Sequence, residues 1–162
     1  SADDLTAAAE RKLLADWFLA IRKQSPGTSG QRAVLVGHNV ASFDIPFIWK
    51  RAVIRTVVPP FWWPRNPKPW SESLYDTMTQ WAGDRDRISM DRLCKALGLA
   101  GKDGMTGADV WPAVKAGKIA DVAAYCKADV HRTRLLYQRM QFRTSGDIEQ
   151  MFGGPFIAGE PA

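Results

Sequence analysis

Over residues 4–23 the apolar side chains return in threes and fours, at Leu5, Leu13, Leu14, Trp17, Phe18 and Ile21. That rhythm predicts an amphipathic helix, and Ser25-Pro26-Gly27-Thr28-Ser29-Gly30 ends it in a plain loop. Ala33-Val34-Leu35-Val36-Gly37 is short, unbroken and β-branched, the pattern of a buried strand. His38-Asn39-Val40-Ala41-Ser42-Phe43 then links it to a second helix near residues 44–54. Pro46 falls in the first turn of that helix, where a missing N–H costs nothing.

Residues 57–72 hold five prolines and three tryptophans. Such a stretch cannot be a regular helix, and Pro59-Pro60 argues against a central strand. It reads as a long irregular loop. Residues 74–81 predict a short strand running into a helix. A short helix over 90–97 stops at Gly98, and another over 109–116 ends at Gly117. The last strong helix is expected over 119–142, with a loose Gly-, Pro- and Ala-rich tail over 143–162. The chain has no internal repeat. One strand, or two, thus stands among five or six helices, and a buried strand needs neighbours that the sequence does not obviously supply.

At 162 residues, residues 1–142 fit one domain, and 46% apolar composition with seven tryptophans is enough for a true core. No apolar run approaches the ~18 residues of a membrane span, and the N-terminal residues lack the apolar centre of a signal peptide. Cys94 and Cys126 are the only cysteines, which excludes a disulfide scaffold and a four-cysteine zinc cage. His38 and His131 are too far apart for a zinc-binding spacing. These features favour a cytoplasmic chain with reduced thiols and no membrane partner. The net charge of +5, from 22 Lys and Arg against 17 Asp and Glu, suits a polyanionic partner.

Candidate chemistry is concentrated in two places. On the last helix, Ile119, Val122, Ala123, Cys126, Val130, Thr133 and Tyr137 form an apolar stripe at ~100° per residue, and Tyr125 and Asp129 lie one above the other on its shoulder. A carboxylate at a core edge needs a counter-ion or a cation. The structural alternative is an Asp129–Arg132 ion pair with the Tyr125 hydroxyl in water. In the first half, Asp44 follows a strand-to-helix turn, where it serves either as a helix N-cap or as a metal ligand beyond the carboxyl end of a strand. Asp76 reads as a turn or capping residue, His38 as a hydrogen-bonding group of the loop rather than a base, and Cys126 as an inert core thiol. Trp62, Trp63 and Trp70 with Arg65 and Lys68 either stack on a single strand or fold against their own domain.

Together, Gly37-His38-Asn39, Phe43-Asp44 at the head of a helix, and Tyr125-Cys126-Lys127-Ala128-Asp129 resemble the DEDD exonucleases of the RNase H-like fold, in the tyrosine-bearing DEDDy branch. More narrowly, the chain resembles predicted 3′–5′ exonucleases related to the proofreading domain of family B DNA polymerases. The resemblance runs through Ile88-Ser89-Met90-Asp91-Arg92-Leu93, Leu97-Gly98-Leu99 and Gly107-Ala108-Asp109-Val110-Trp111, over roughly residues 5–142. It implies an α/β, RNase H-like exonuclease fold lacking its first three strands, mostly helical with one or two strands left. It also implies two divalent cations, Mg²⁺ or Mn²⁺, that cleave the terminal phosphodiester of single-stranded DNA, with RNA as the alternative substrate. Asp44 and Asp129 would be metal ligands, Tyr125 would orient the attacking water, and Asn39, Phe43 and His38 would lie beside the substrate end. The family's first motif, Asp-x-Glu on an opening strand, is missing near the N-terminus, where Asp3, Asp4 and Glu10 have the wrong spacing. Activity of this chain is therefore expected to be impaired. Three accounts are open: the sequence is a truncated piece of the domain, a homodimer or a strand-supplying partner restores the site, or the chain is a non-catalytic nucleic-acid-binding or self-associating remnant.

Overall fold

The computed structural model describes residues 2–23, 34–68, 71–101 and 104–143. It divides into two compact units, Ser1–Ile88 and Ser89–Ala162. The first holds α1 (Ala2–Lys23), β1 (Leu35–Gly37), α2 (Asp44–Ile54), β2 (Leu74–Asp76) and α3 (Thr77–Ala82); the second holds α4 (Met90–Ala96), α5 (Gly107–Lys115) and α6 (Ile119–Met140). Among the described residues β1 and β2 make one parallel sheet, with Leu35 opposite Leu74, Val36 opposite Tyr75 and Gly37 opposite Asp76. The expected α/β class, mostly helical with few strands, is what the chain has. The loop expected at 25–30, Trp70 and the tail from residue 144 lie outside the described residues.

The core of the first unit is built from Phe18 of α1, Val40, Ile45 and Ala52 of α2, Trp63, and Leu74 of β2. Leu14, Trp17, Phe18 and Ile21 turn α1 toward it as the spacing predicts, whereas Leu13 points to solvent. The Pro/Trp segment folds against its own unit: Trp62 and Trp63 are buried, and the Trp63 ring meets those of Trp17 and Phe18 nearly edge-on at 5.5 and 5.4 Å. Edge-on pairs of this kind contribute about 0.5–1.5 kcal/mol each beyond the area they bury. Arg65 from the same segment sits 5.0 Å from the centre of the Trp49 ring, so it is held on α2 by a cation–π contact. The expected fully buried strand is a half-buried one. Leu35 packs on the core while Val36 faces outward, because only one side of the two-stranded sheet carries the cluster.

A charged clamp ties α1 to α2. Glu10 accepts from Arg51 Nε and Nη2, both at 2.5 Å, and from Arg55 Nε at 2.6 Å. These two guanidinium groups, through their hydrogen bonds and then their charge, hold the Glu10 carboxyl at about 2 instead of 4.5. A carboxyl depressed on folding stabilises above its unfolded value and loses that contribution as pH falls toward the folded one. The urea midpoint is therefore expected to drop between pH 4.5 and pH 2, and Glu10→Gln to flatten that drop while lowering the midpoint at pH 7. An unchanged acid profile in the variant would remove the clamp from the account of stability.

In the second unit Leu93 and Cys94 of α4, Ala113 of α5 and Leu136 of α6 are buried. The side of α6 that is covered is only partly the predicted stripe: Val122, Thr133 and Tyr137 are half-buried. Its other members, Ile119, Ala123, Cys126 and Val130, are exposed, and the covered side extends instead along Tyr125, Asp129, Arg132 and Leu136, roughly a quarter turn away. Cys126 is thus a surface thiol, not a core one. Hydrophobicity misplaced this part of the face because it carries polar groups with partners inside the unit: Arg132 donates to the Gly101 carbonyl at 3.1 Å and to Asp129 Oδ1 at 3.2 Å. The helix ends at Met140, short of the expected 142, and Phe142 beyond it takes a left-handed φ of 53°.

Candidate active site

Parallel strands present their loops beyond their carboxyl ends, and here those ends are Gly37 and Asp76, paired with each other. Immediately after Gly37 the chain folds back on itself. A Cβ on Gly37 would stand 2.4 Å from Val40 Cβ, so the buried Val40 side chain occupies the space that any other residue would need. Asn39 then takes φ 62°, a left-handed conformation that Asn tolerates better than most residues.

That turn aims backbone donors at Asp76, which is 4% exposed. Its Oδ1 accepts from the N–H groups of Asn39 at 2.8 Å and Met78 at 3.0 Å, and its Oδ2 accepts from Ala41 N–H at 3.0 Å. Asp76 is the N-cap of α3, as the sequence suggests, and also the anchor of the 39–41 loop, which the sequence does not reveal. His38 fixes the same loop from its start. Its Nε2 lies 2.9 Å from the Ile88 carbonyl, which can only accept, so Nε2 carries a hydrogen. Its Nδ1 lies 3.0 Å from Thr77 Oγ1, which also reaches the Gly37 carbonyl at 3.1 Å. Both ring nitrogens are used within the unit, in keeping with a positioning group rather than a base. The Asn39 side chain accepts from Ser42 Oγ at 2.5 Å, closing the loop before Phe43.

Asp44 is the first residue of α2; the N-cap position is Phe43, and no side chain caps the helix. The capping alternative for Asp44 is therefore not realised. Asp44 is exposed, yet its carboxyl is raised above the ordinary 3.8, first because neighbouring atoms strip part of its water and also because of the Asp76 charge; a bond to its own backbone partly offsets this. Among the described residues no side chain forms an ion pair with it. Phe43, just before it, is exposed with its ring nearly parallel to that of Phe47.

The structure thus gathers His38, Asn39, Phe43 and Asp44 at one strand-to-helix junction. Tyr125 and Asp129 belong to the second unit, one turn apart on the covered side of α6 and each half-buried. Asp129 Oδ1 accepts from Arg132 Nη1 at 3.2 Å, the ion pair foreseen as the structural alternative. Within either unit no three described His, Cys, Asp or Glu side chains cluster as a metal site would. The carboxylates present fit a hard divalent cation in type, and Asp44 fits it in having no ion-pair partner among the described residues, but neither unit by itself supplies a complete donor set.

The family described as predicted 3′–5′ exonuclease related to the exonuclease domain of PolB matches residues 4–151. The chain belongs to this family. Neither a curated protein nor a solved structure matches it. As an exonuclease-family chain it carries the mostly helical α/β form described above, and the match spans residues of both units. The expected absence of Asp-x-Glu from the exonuclease chain holds for the N-terminal region only. Asp147-Ile148-Glu149 has that spacing inside the matched segment, outside the described residues. No described helix is long and apolar enough to cross a membrane.

Proposed function

We propose that this exonuclease-family chain supplies part of a metal-dependent, DEDDy-type 3′–5′ exonuclease site that acts on single-stranded DNA ends. The observation that carries this reading is Asp44: an exposed carboxylate at the head of α2, next to the carboxyl ends of two parallel strands, with no ion-pair partner among the described residues. Asp44 and Asp129 would hold the divalent cations. When bound, two such ions activate water and stabilise the attacking and leaving oxygens of a phosphodiester. Tyr125, one turn before Asp129 on α6, would orient the attacking water. Asn39 and Phe43 lie in the loop beside Asp44, where the terminal nucleotide would rest, and His38 acts by holding that loop. With only these carboxylates the rate is expected to be low, and a homodimer or a strand-supplying partner would raise it.

A second reading has its own support. Arg132 already neutralises Asp129 at 3.2 Å, which suits a non-catalytic module that binds single strands or itself. Incubation with 3′-labelled and 5′-labelled single-stranded DNA and RNA, in Mn²⁺ or in EDTA, separates the two. Stepwise shortening from the 3′ end that needs the metal and disappears in Asp129→Ala is the expected result. Binding without cleavage, equal in Asp129→Ala, would overturn the enzymatic reading and leave the binding module.

A further inference from the structure

We infer that the outward side of α2 is a stacking surface for the last two bases of a single strand, with Phe47 and Lys50 as its unassigned members. The inference rests on the single-strand substrate proposed above. Phe43 and Phe47 are 63% and 55% exposed, their ring planes differ by 8° and their centres are 6.3 Å apart. The two large rings are stacked in parallel and exposed, so the pair offers a flat π-surface to a base. Lys50 is exposed and stands three residues beyond Phe47 and seven beyond Phe43, which puts it on the same side of the helix. The other cations of this helix, Arg51 and Arg55 just after it, are committed to Glu10. Lys50 is thus the charge this side offers outward. Rings for bases and a cation for the connecting phosphate are the combination that single strands need, and the +5 net charge favours the same occupant. Phe43, beside Asp44, would take the terminal base and Phe47 the penultimate one.

The test is equilibrium binding in EDTA, by anisotropy, of 5′-dye-labelled single-stranded DNA that is intact, abasic at the last nucleotide or abasic at the penultimate one. Phe47→Ala is expected to weaken the intact strand about tenfold, while Phe47→Tyr restores binding. The penultimate abasic site should weaken wild-type binding by a similar factor and Phe47→Ala no further. Lys50→Ala should reduce the slope of log K against log salt by about 0.7. Both residues are exposed, so circular dichroism and the urea midpoint should be unchanged. Wild-type binding that Phe47→Ala leaves intact would overturn the stacking surface and spare the single-strand reading. No binding by the wild type would overturn both. Loss of a dimer in Phe47→Ala, with DNA affinity unaltered, would assign this side of α2 to self-association and overturn the proposal.

Discussion

Replacing Asp76 by alanine is expected to destabilise the first unit by about 3–5 kcal/mol, because three backbone donors lose their acceptor at once. The side chain is 4% exposed, so water cannot fully substitute. A buried donor left unsatisfied costs about 1–3 kcal/mol, and loss of an N-cap alone costs about 1 kcal/mol. Asp76→Asn should cost less. If the amide oxygen keeps Asn39 and Met78, its NH₂ faces the Ala41 N–H, and one opposed donor pair replaces three orphaned donors. Urea unfolding at unchanged m-value measures both variants. A loss below about 1 kcal/mol in Asp76→Ala would mean that the 39–41 loop reorganises freely and that Asp76 does not anchor it.

Asp44→Asn should separate activity from stability. Losing the charge of a metal-ligating carboxylate is expected to cut metal-dependent cleavage by about 10²–10⁴-fold, the equivalent of several kcal/mol of transition-state stabilisation. Stability should move the other way or not at all. The folded carboxyl titrates above the ordinary value, so ionised Asp44 works against folding at neutral pH, and this penalty fades as pH falls through the raised value. The variant should accordingly match or exceed the wild type in urea midpoint at pH 7, with the gap closing in acid. Full activity, or a clear loss of stability, would contradict the role given to this carboxylate.

Much of the fold could be read from side-chain rhythm wherever one side of an element is uniformly apolar. Leu14, Trp17, Phe18 and Ile21 placed α1 correctly, and the prolines of residues 57–72 excluded helix there. Rhythm misled on α6, where Arg132 and Asp129 turn inward and satisfy each other while Val130 and Cys126 remain in water. A polar group with an internal partner looks like a surface group in sequence. The junction around Asp44 was legible because its residues are contiguous. Asp76 as its anchor was not: the bonds to Asn39 and Ala41 cross 37 and 35 residues, and nothing local in Leu74-Tyr75-Asp76 signals them. Phe47 went unnoticed for a simpler reason, since a phenylalanine in an amphipathic helix is ordinarily core.

The long reach of Asp76 also sets an order of events in folding. A loop held by its own neighbours can form while the rest of the chain is still open. The turn after Gly37 is different: its amides find their acceptor only once β2 has come alongside β1, so closing the intervening segment must come first. The residues at the head of α2 therefore acquire their shape late, as a product of strand pairing. Any event that parts the two strands releases them in the same step, so the junction and the sheet belong to one cooperative unit.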